Sequence, residues 1–85
     1  MKEFTYVITD EVGLHARPAN VVCKAAKKYA SKITVEFGGK TAELRKLMQV
    51  MSLGARTGDE IKITIEGEDE DLAFEELPQF FAENL

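Results

Sequence analysis

Apolar and polar residues alternate almost from the start of the chain. Phe4, Tyr6 and Ile8 are separated by Thr5 and Val7, the period-two pattern of a half-buried strand. Thr9-Asp10-Glu11-Val12-Gly13 then reads as a polar loop, with Gly13 supplying backbone freedom. Over roughly residues 16–29 the period becomes helical. Pro18, Val22, Ala25 and Tyr29 share one stripe with Ala19 and Ala26 beside them, while Lys24, Lys27 and Lys28 lie off it. Lysines late in a helix suit its negative end. Ile33, Val35 and Phe37 predict a second strand, Gly38-Gly39 a two-residue hairpin, and about Lys40 to Leu44 a short third strand. Leu47, Val50 and Met51 form the apolar side of a brief helix ending near Gly54. Met48 lies off that stripe, although spacing and bulk alone make Met48 and Met51 most simply core residues. Ile61, Ile63 and Ile65 oppose Lys62, Thr64 and Glu66 in the cleanest strand of the chain, which Gly67 ends. The acidic residues 68–71 suit the positive first turn of a last helix with a buried stripe of Ala73, Leu77, Phe80 and Phe81. Pro78 falls inside that stripe and is expected to kink the helix or split it near residue 77.

The resulting order is βαββαβα, an α+β chain. Each strand has one apolar face, which predicts an antiparallel sheet covered by helices on one side. Eighty-five residues, 45% of them hydrophobic and 31% charged, make one small domain spanning 1–85, too short for a cleft between two lobes. No stretch approaches the roughly 20 apolar residues of a membrane span. The strand pattern begins at once, so no signal peptide is expected. Cys23 stands alone in a helical pattern, as a packing residue of a reduced, cytoplasmic protein.

The net charge of −4 conceals an asymmetry. Residues 1–58 hold ten Lys/Arg against five Asp/Glu, a net of +5, and residues 59–85 hold one against ten, a net of −9. Such a split describes two solvated faces of opposite sign, or a basic surface steered toward an acidic partner or an anionic group. The acidic total, with aromatics in core-like alternations, disfavours nucleic acid as a partner.

The basic half also carries the chemistry. Gly13-Leu14-His15-Ala16-Arg17-Pro18-Ala19 contains the only histidine, at the opening of the first predicted helix. Free imidazole titrates near pH ~6.5, and the positive end of a helix disfavours its protonation further. One ring nitrogen therefore keeps a nucleophilic lone pair at neutral pH. Unpaired N–H groups at Ala16 and Arg17 would receive a phosphoryl dianion, and the Arg17 guanidinium could add charge-assisted hydrogen bonds. Pro18 is tolerated in a first turn but biases Arg17 away from helical angles, so the helix begins at 16 or at 18. Taken alone, the pattern also fits a capping histidine beside a solvated arginine. With one histidine and one cysteine there is no obvious metal site, and no phosphate-binding loop or catalytic triad motif is present.

The His15 segment, together with Met48-Gln49-Val50-Met51-Ser52-Leu53-Gly54 and Gly67-Glu68-Asp69-Glu70, strongly resembles the HPr family. These are the histidine-containing phosphocarriers of the bacterial phosphoenolpyruvate-dependent sugar phosphotransferase system. The resemblance covers essentially the whole chain. It implies an open-faced β-sandwich with sheet order 1-4-2-3 and three helices on one face. It also implies that His15 accepts phosphate on Nδ1 from phosphorylated enzyme I and passes it to IIA units of sugar permeases, without a cofactor. The protein would be a carrier with a phosphohistidine intermediate rather than a stand-alone enzyme, and a cytoplasmic monomer. Arg17 would stabilise the phosphate. Leu47, Met48 and Met51 would lie partly exposed near His15 as an adaptable docking patch, with Lys24 and Lys27 on its basic rim.

Three residues depart from the family pattern. Lys46 stands where many relatives carry a regulatory serine, Gln49 replaces a common glycine, and Asn20 replaces the usual alanine. Ser52, further along, reads as a helix-end residue rather than a substitute for that serine. Two other readings are an adaptor that keeps the same fold but binds a transcription factor or metabolic enzyme, and a small βαββαβ-type module that binds an allosteric metabolite. An intact His15–Arg17 pair favours the carrier over the adaptor, and the pattern shows no obvious ligand cavity for the module.

Overall fold

The computed structural model describes the backbone of residues 1–9 and 16–85, and the side chains of residues 1–9 and 19–85. Among the described residues four strands and three helices follow in the expected order: β1 (Lys2–Val7), α1 (Ala16–Ala26), β2 (Lys32–Phe37), β3 (Lys40–Glu43), α2 (Leu47–Ser52), β4 (Glu60–Glu66) and α3 (Glu70–Asn84). The strands form one sheet in the order β1-β4-β2-β3, antiparallel at every junction. Register follows the apolar alternation. Phe4, Ile63, Val35 and Ala42 stand in one row across the sheet, with Tyr6–Ile61 and Ile33–Ile65 on either side of it. Ile33, Val35, Ile61, Ile63 and Ile65 are essentially removed from water. The helices cover this face, while Glu3, Lys62, Thr64, Thr34 and Glu36 point from the other.

β1 is held to α3 by aromatic packing. The buried Phe81 ring meets Phe4 and Tyr6 edge-on, with centroids 5.8 and 5.6 Å away, and the Tyr6 hydroxyl donates to the Phe81 carbonyl at 3.1 Å. Such aromatic pairs contribute about 0.5–1.5 kcal/mol each beyond the area they bury.

Several expectations are corrected. α1 begins at Ala16 and stops at Ala26 rather than 29. The amides of Lys27, Lys28 and Tyr29 bond three residues back, to Lys24, Ala25 and Ala26, which tightens the end into a turn. β3 is one residue shorter than expected, and the buried Leu44 beyond it still donates its amide to Ile33. Ile8 is buried just past the end of β1, its amide bonded to Asp59. Pro78 does not split the last helix, because α3 runs unbroken across it. Leu77 and Phe81, on either side of Pro78, are both fully buried. Their burial offsets the roughly 3 kcal/mol that an internal proline costs a helix. Of the acidic residues 68–71, only Glu70 and Asp71 lie in the first helical turn.

Asp69 does different work. Its carboxylate does not cap α3 but reaches back to the α1–β2 connection. There it accepts the amides of Ala30 (2.8 Å) and Ser31 (2.9 Å), and the Ser31 hydroxyl. Ser31 is wholly buried, and Gly67 approaches it so closely that a Cβ there would lie 2.6 Å from the Ser31 Cα. With φ of 151°, position 67 is doubly restricted to glycine. A second tie joins the same elements, since the Tyr29 hydroxyl donates to Glu76 Oε1 at 2.6 Å. Burial, then that bond and the charges of Glu76 and Asp69, push the Tyr29 pKa up to about 12, so the phenol stays a neutral donor.

The Ser31 hydroxyl and the Ala30 and Ser31 amides hold the Asp69 carboxyl below its ordinary value of 3.8. A group depressed on folding adds stability above its unfolded pKa and loses it as the pH falls through the folded one. Asp69→Asn puts a donor where two acceptors are needed. We expect it to lower the neutral-pH urea midpoint and to flatten the fall in stability below about pH 4. Urea titrations of wild type and variant between pH 3 and 7 measure this, and parallel curves would contradict it.

Candidate functional site

The predicted phosphate site is built around the start of α1. Ala16 is the first residue of that helix, so His15 immediately precedes it in the chain. His15 itself lies outside the described residues, as do the side chains of Ala16 and Arg17. What the structure describes is the frame on either side. Before the segment, Ile8 exchanges backbone hydrogen bonds with Gly58 and Asp59, and the Thr9 amide donates to Leu85 at 2.6 Å. After it, Ala19, Val22, Cys23 and Ala26 sink α1 into the core. The first turn of α1 contains no acidic residue, so no carboxylate there competes with an incoming anion for its backbone N–H groups.

α1 and α2 pack against one another, which brings the basic rim and the methionine helix onto adjoining elements. Lys24 and Lys27 are exposed, and Leu47 and Met51 are half-buried against the core. Met48 is 77% exposed, which corrects the core reading that spacing alone allowed. The physical reason is helix phase. On a six-residue helix Val50 takes the buried position and is wholly shielded, and Met48 projects from a different face. The amide of Glu43 donates to the Gln49 side chain at 3.2 Å, tying α2 to β3 at one of the positions that depart from the family pattern. Ser52 donates its hydroxyl to the Gln49 carbonyl at 2.7 Å and closes the helix, as expected of a helix-end residue. Lys46 leans on Glu43 with 3.9 Å between charges.

Val21, an aliphatic residue of α1, is 40% exposed, which the apolar stripe of that helix does not indicate. An aliphatic residue off the buried stripe was the available signal. Cys23 is buried, and that burial pushes its thiol up despite the opposing charge of Lys27, as suits a packing residue.

The family model described as "PTS HPr component phosphorylation site" matches residues 2–83. This chain belongs to the HPr family. It is 44% identical over 79 residues to the phosphocarrier protein HPr of Mycoplasma capricolum subsp. capricolum, an alignment covering 93% of this chain and 89% of that protein. Its fold is similar to HPr-C-His of Thermoanaerobacter tengcongensis, with TM-score 0.93, 38% identity and coverage of 99% of this chain and 94% of the other. It is also similar to an HPr dimer from the same organism, with TM-score 0.76, 38% identity and coverage of 98% and 95%. HPr membership supports a phosphoryl-carrier role in the phosphotransferase system, and a carrier is consistent with a protein that is not a stand-alone enzyme. No helix among the described residues is long and apolar enough to cross a membrane.

The exposure of Met48 carries a stability test. Met48→Asp is expected to shift unfolding by no more than about 0.5 kcal/mol, because the residue has little to lose from water. Leu53→Ala, at a buried position, is expected to cost about 2–5 kcal/mol. Chemical denaturation compares the two, and an equal loss would place Met48 in the core.

Proposed function

We propose that His15 is the phosphoryl acceptor of a carrier that serves enzyme I and the IIA units of sugar permeases. The supporting observation is that α1 opens at Ala16, directly after the only histidine, in a chain that the phosphocarrier family model spans almost end to end. The neutral imidazole attacks through Nδ1. A new N–P bond forms as the bond between the phosphoryl group and phosphorylated enzyme I breaks, and a second transfer breaks that N–P bond as the group passes to IIA. The orphan amides of the first turn, Ala16 and Arg17, receive the phosphoryl oxygens, and the helix dipole favours their charge by about 0.3–1 kcal/mol. The Arg17 guanidinium adds charge-assisted hydrogen bonds.

Leu47, Met48 and Met51 supply an adaptable apolar contact for successive partners, with Lys24 and Lys27 steering acidic surfaces toward it. Regulatory proteins could use the same patch, but lysine at position 46 offers no hydroxyl for a serine kinase. Residues 1–85 act as a single phosphocarrier domain, monomeric and cytoplasmic, without a bound cofactor.

Incubation with radiolabelled phosphoenolpyruvate and enzyme I is expected to give acid-labile label on the wild type and none on His15→Ala. Arg17→Ala is expected to slow transfer roughly 10- to 100-fold, matching the roughly 1.5–3 kcal/mol of a hydrogen bond to a charged group. An unlabelled wild type, or label persisting on His15→Ala, would overturn the assignment.

A further inference from the structure

The end of α1 and the length of α3 enclose a groove of about 590 Å³, to which α2 contributes no residue. Ala25, Leu72 and Phe80 give it an apolar lining, and Leu72 is 50% exposed. Glu75, Glu76 and Glu83 give it an acidic one, with Lys28 as the one lining cation among the described residues. Glu76 already accepts the Tyr29 hydroxyl. The carboxylates of Glu75 and Glu83 have no hydrogen bond or ion pair with a described residue.

The two kinds of side chain repeat at the same interval. Glu75 and Glu83 are eight residues apart, as are Leu72 and Phe80, so each pair is separated by about 12 Å along the helix axis. A ligand matching both must present two cations and two apolar groups at that spacing on one side. An amphipathic helix with basic and apolar residues repeating every seven or eight positions does so. A polyamine would answer the carboxylates and leave Leu72 and Phe80 uncovered, and an acidic segment would be repelled by the net −9 of residues 59–85.

We propose that the α1–α3 groove binds a basic amphipathic helix of a partner protein, whose Lys or Arg side chains pair with Glu75 and Glu83 over an apolar contact with Leu72 and Phe80. Because no α2 residue lines the groove, such a partner would leave Met48 uncovered.

The test uses the full chain and a synthetic Lys/Leu amphipathic peptide of about 15 residues, followed by fluorescence anisotropy and by amide chemical shifts at physiological salt. Saturable binding with shifts centred on residues 25–29 and 70–84 is expected. The double variant Glu75→Lys/Glu83→Lys is expected to weaken binding about tenfold or more, and Glu60→Lys, on an exposed strand residue outside the groove, to leave it within about twofold. Leu72→Ser, at a half-exposed site that folding does not require, is expected to weaken binding and decides the matter if the double variant unfolds. Equal weakening by Glu60→Lys would show unspecific charge attraction and overturn the proposal. So would shifts centred on α2, an absence of binding, or equal competition by spermine. The assay reads peptide binding without phosphotransfer, so its outcome is independent of the role of His15.

Discussion

Ile61, Ile63 and Ile65 can all leave water only if β4 is paired on both sides, by β1 along one edge and by β2 along the other. That constraint organises the molecule. The strand nearest the start of the chain has to travel to the partner formed last, and β2 has to join β4 with its hairpin strand β3 outermost. The single apolar row of Phe4, Ile63, Val35 and Ala42 aligns all four strands at once. A one-residue slip in any of them would turn its apolar face to solvent. The helices then have one face to cover, and their buried stripes meet there.

Two polar ties complete the arrangement where apolar contact alone would leave the helices free to slide. Asp69 satisfies the backbone at the end of the α1–β2 connection, and Tyr29 reaches Glu76 on α3. Both tie the α1–β2 connection to α3 or to the residue just before it. Their energetic logic differs from that of the core. The amide of the wholly buried Ser31 would be costly without an acceptor, so the Asp69 carboxylate matters there as much for the donor it relieves as for the bond it makes. Gly67 is required by the same contact, since any side chain would strike Ser31.

A phosphoryl carrier has to meet several proteins in turn through a small surface and release each one. In the proposed carrier role, half-buried Leu47 and Met51 beside exposed Met48 would provide apolar area that deforms readily, and the exposed Lys24 and Lys27 would add long-range attraction. The acidic half of the chain lies mainly on β4 and α3, and the groove there is chemically opposite to the α1–α2 surface. The two signs therefore lie on different elements of the molecule.

Most of the fold was legible because its determinants are local and periodic. Strict alternation in β4 identified a half-buried strand, Gly38-Gly39 a tight hairpin, and the repeating apolar stripe of residues 73–81 a helix. The candidate site was legible as chemistry, a lone histidine ahead of a helix with arginine two residues on, and became specific through its resemblance to a family. Other features needed the tertiary structure, because they depend on what a residue meets across space. Pro78 stays within a continuous helix because buried Leu77 and Phe81 hold both sides of it against the sheet. Asp69 reads as a helix-start charge until the backbone of Ala30 and Ser31 arrives beside it. Met48 and Met51 look equally apolar in sequence, and only the phase of a short helix against the core separates the exposed one from the half-buried one. The sequence determined which residues could form strands, helices and a phosphate site through local chemistry and period. The tertiary structure decided which polar groups were satisfied at a distance and which apolar ones were left exposed, because long-range packing settles both.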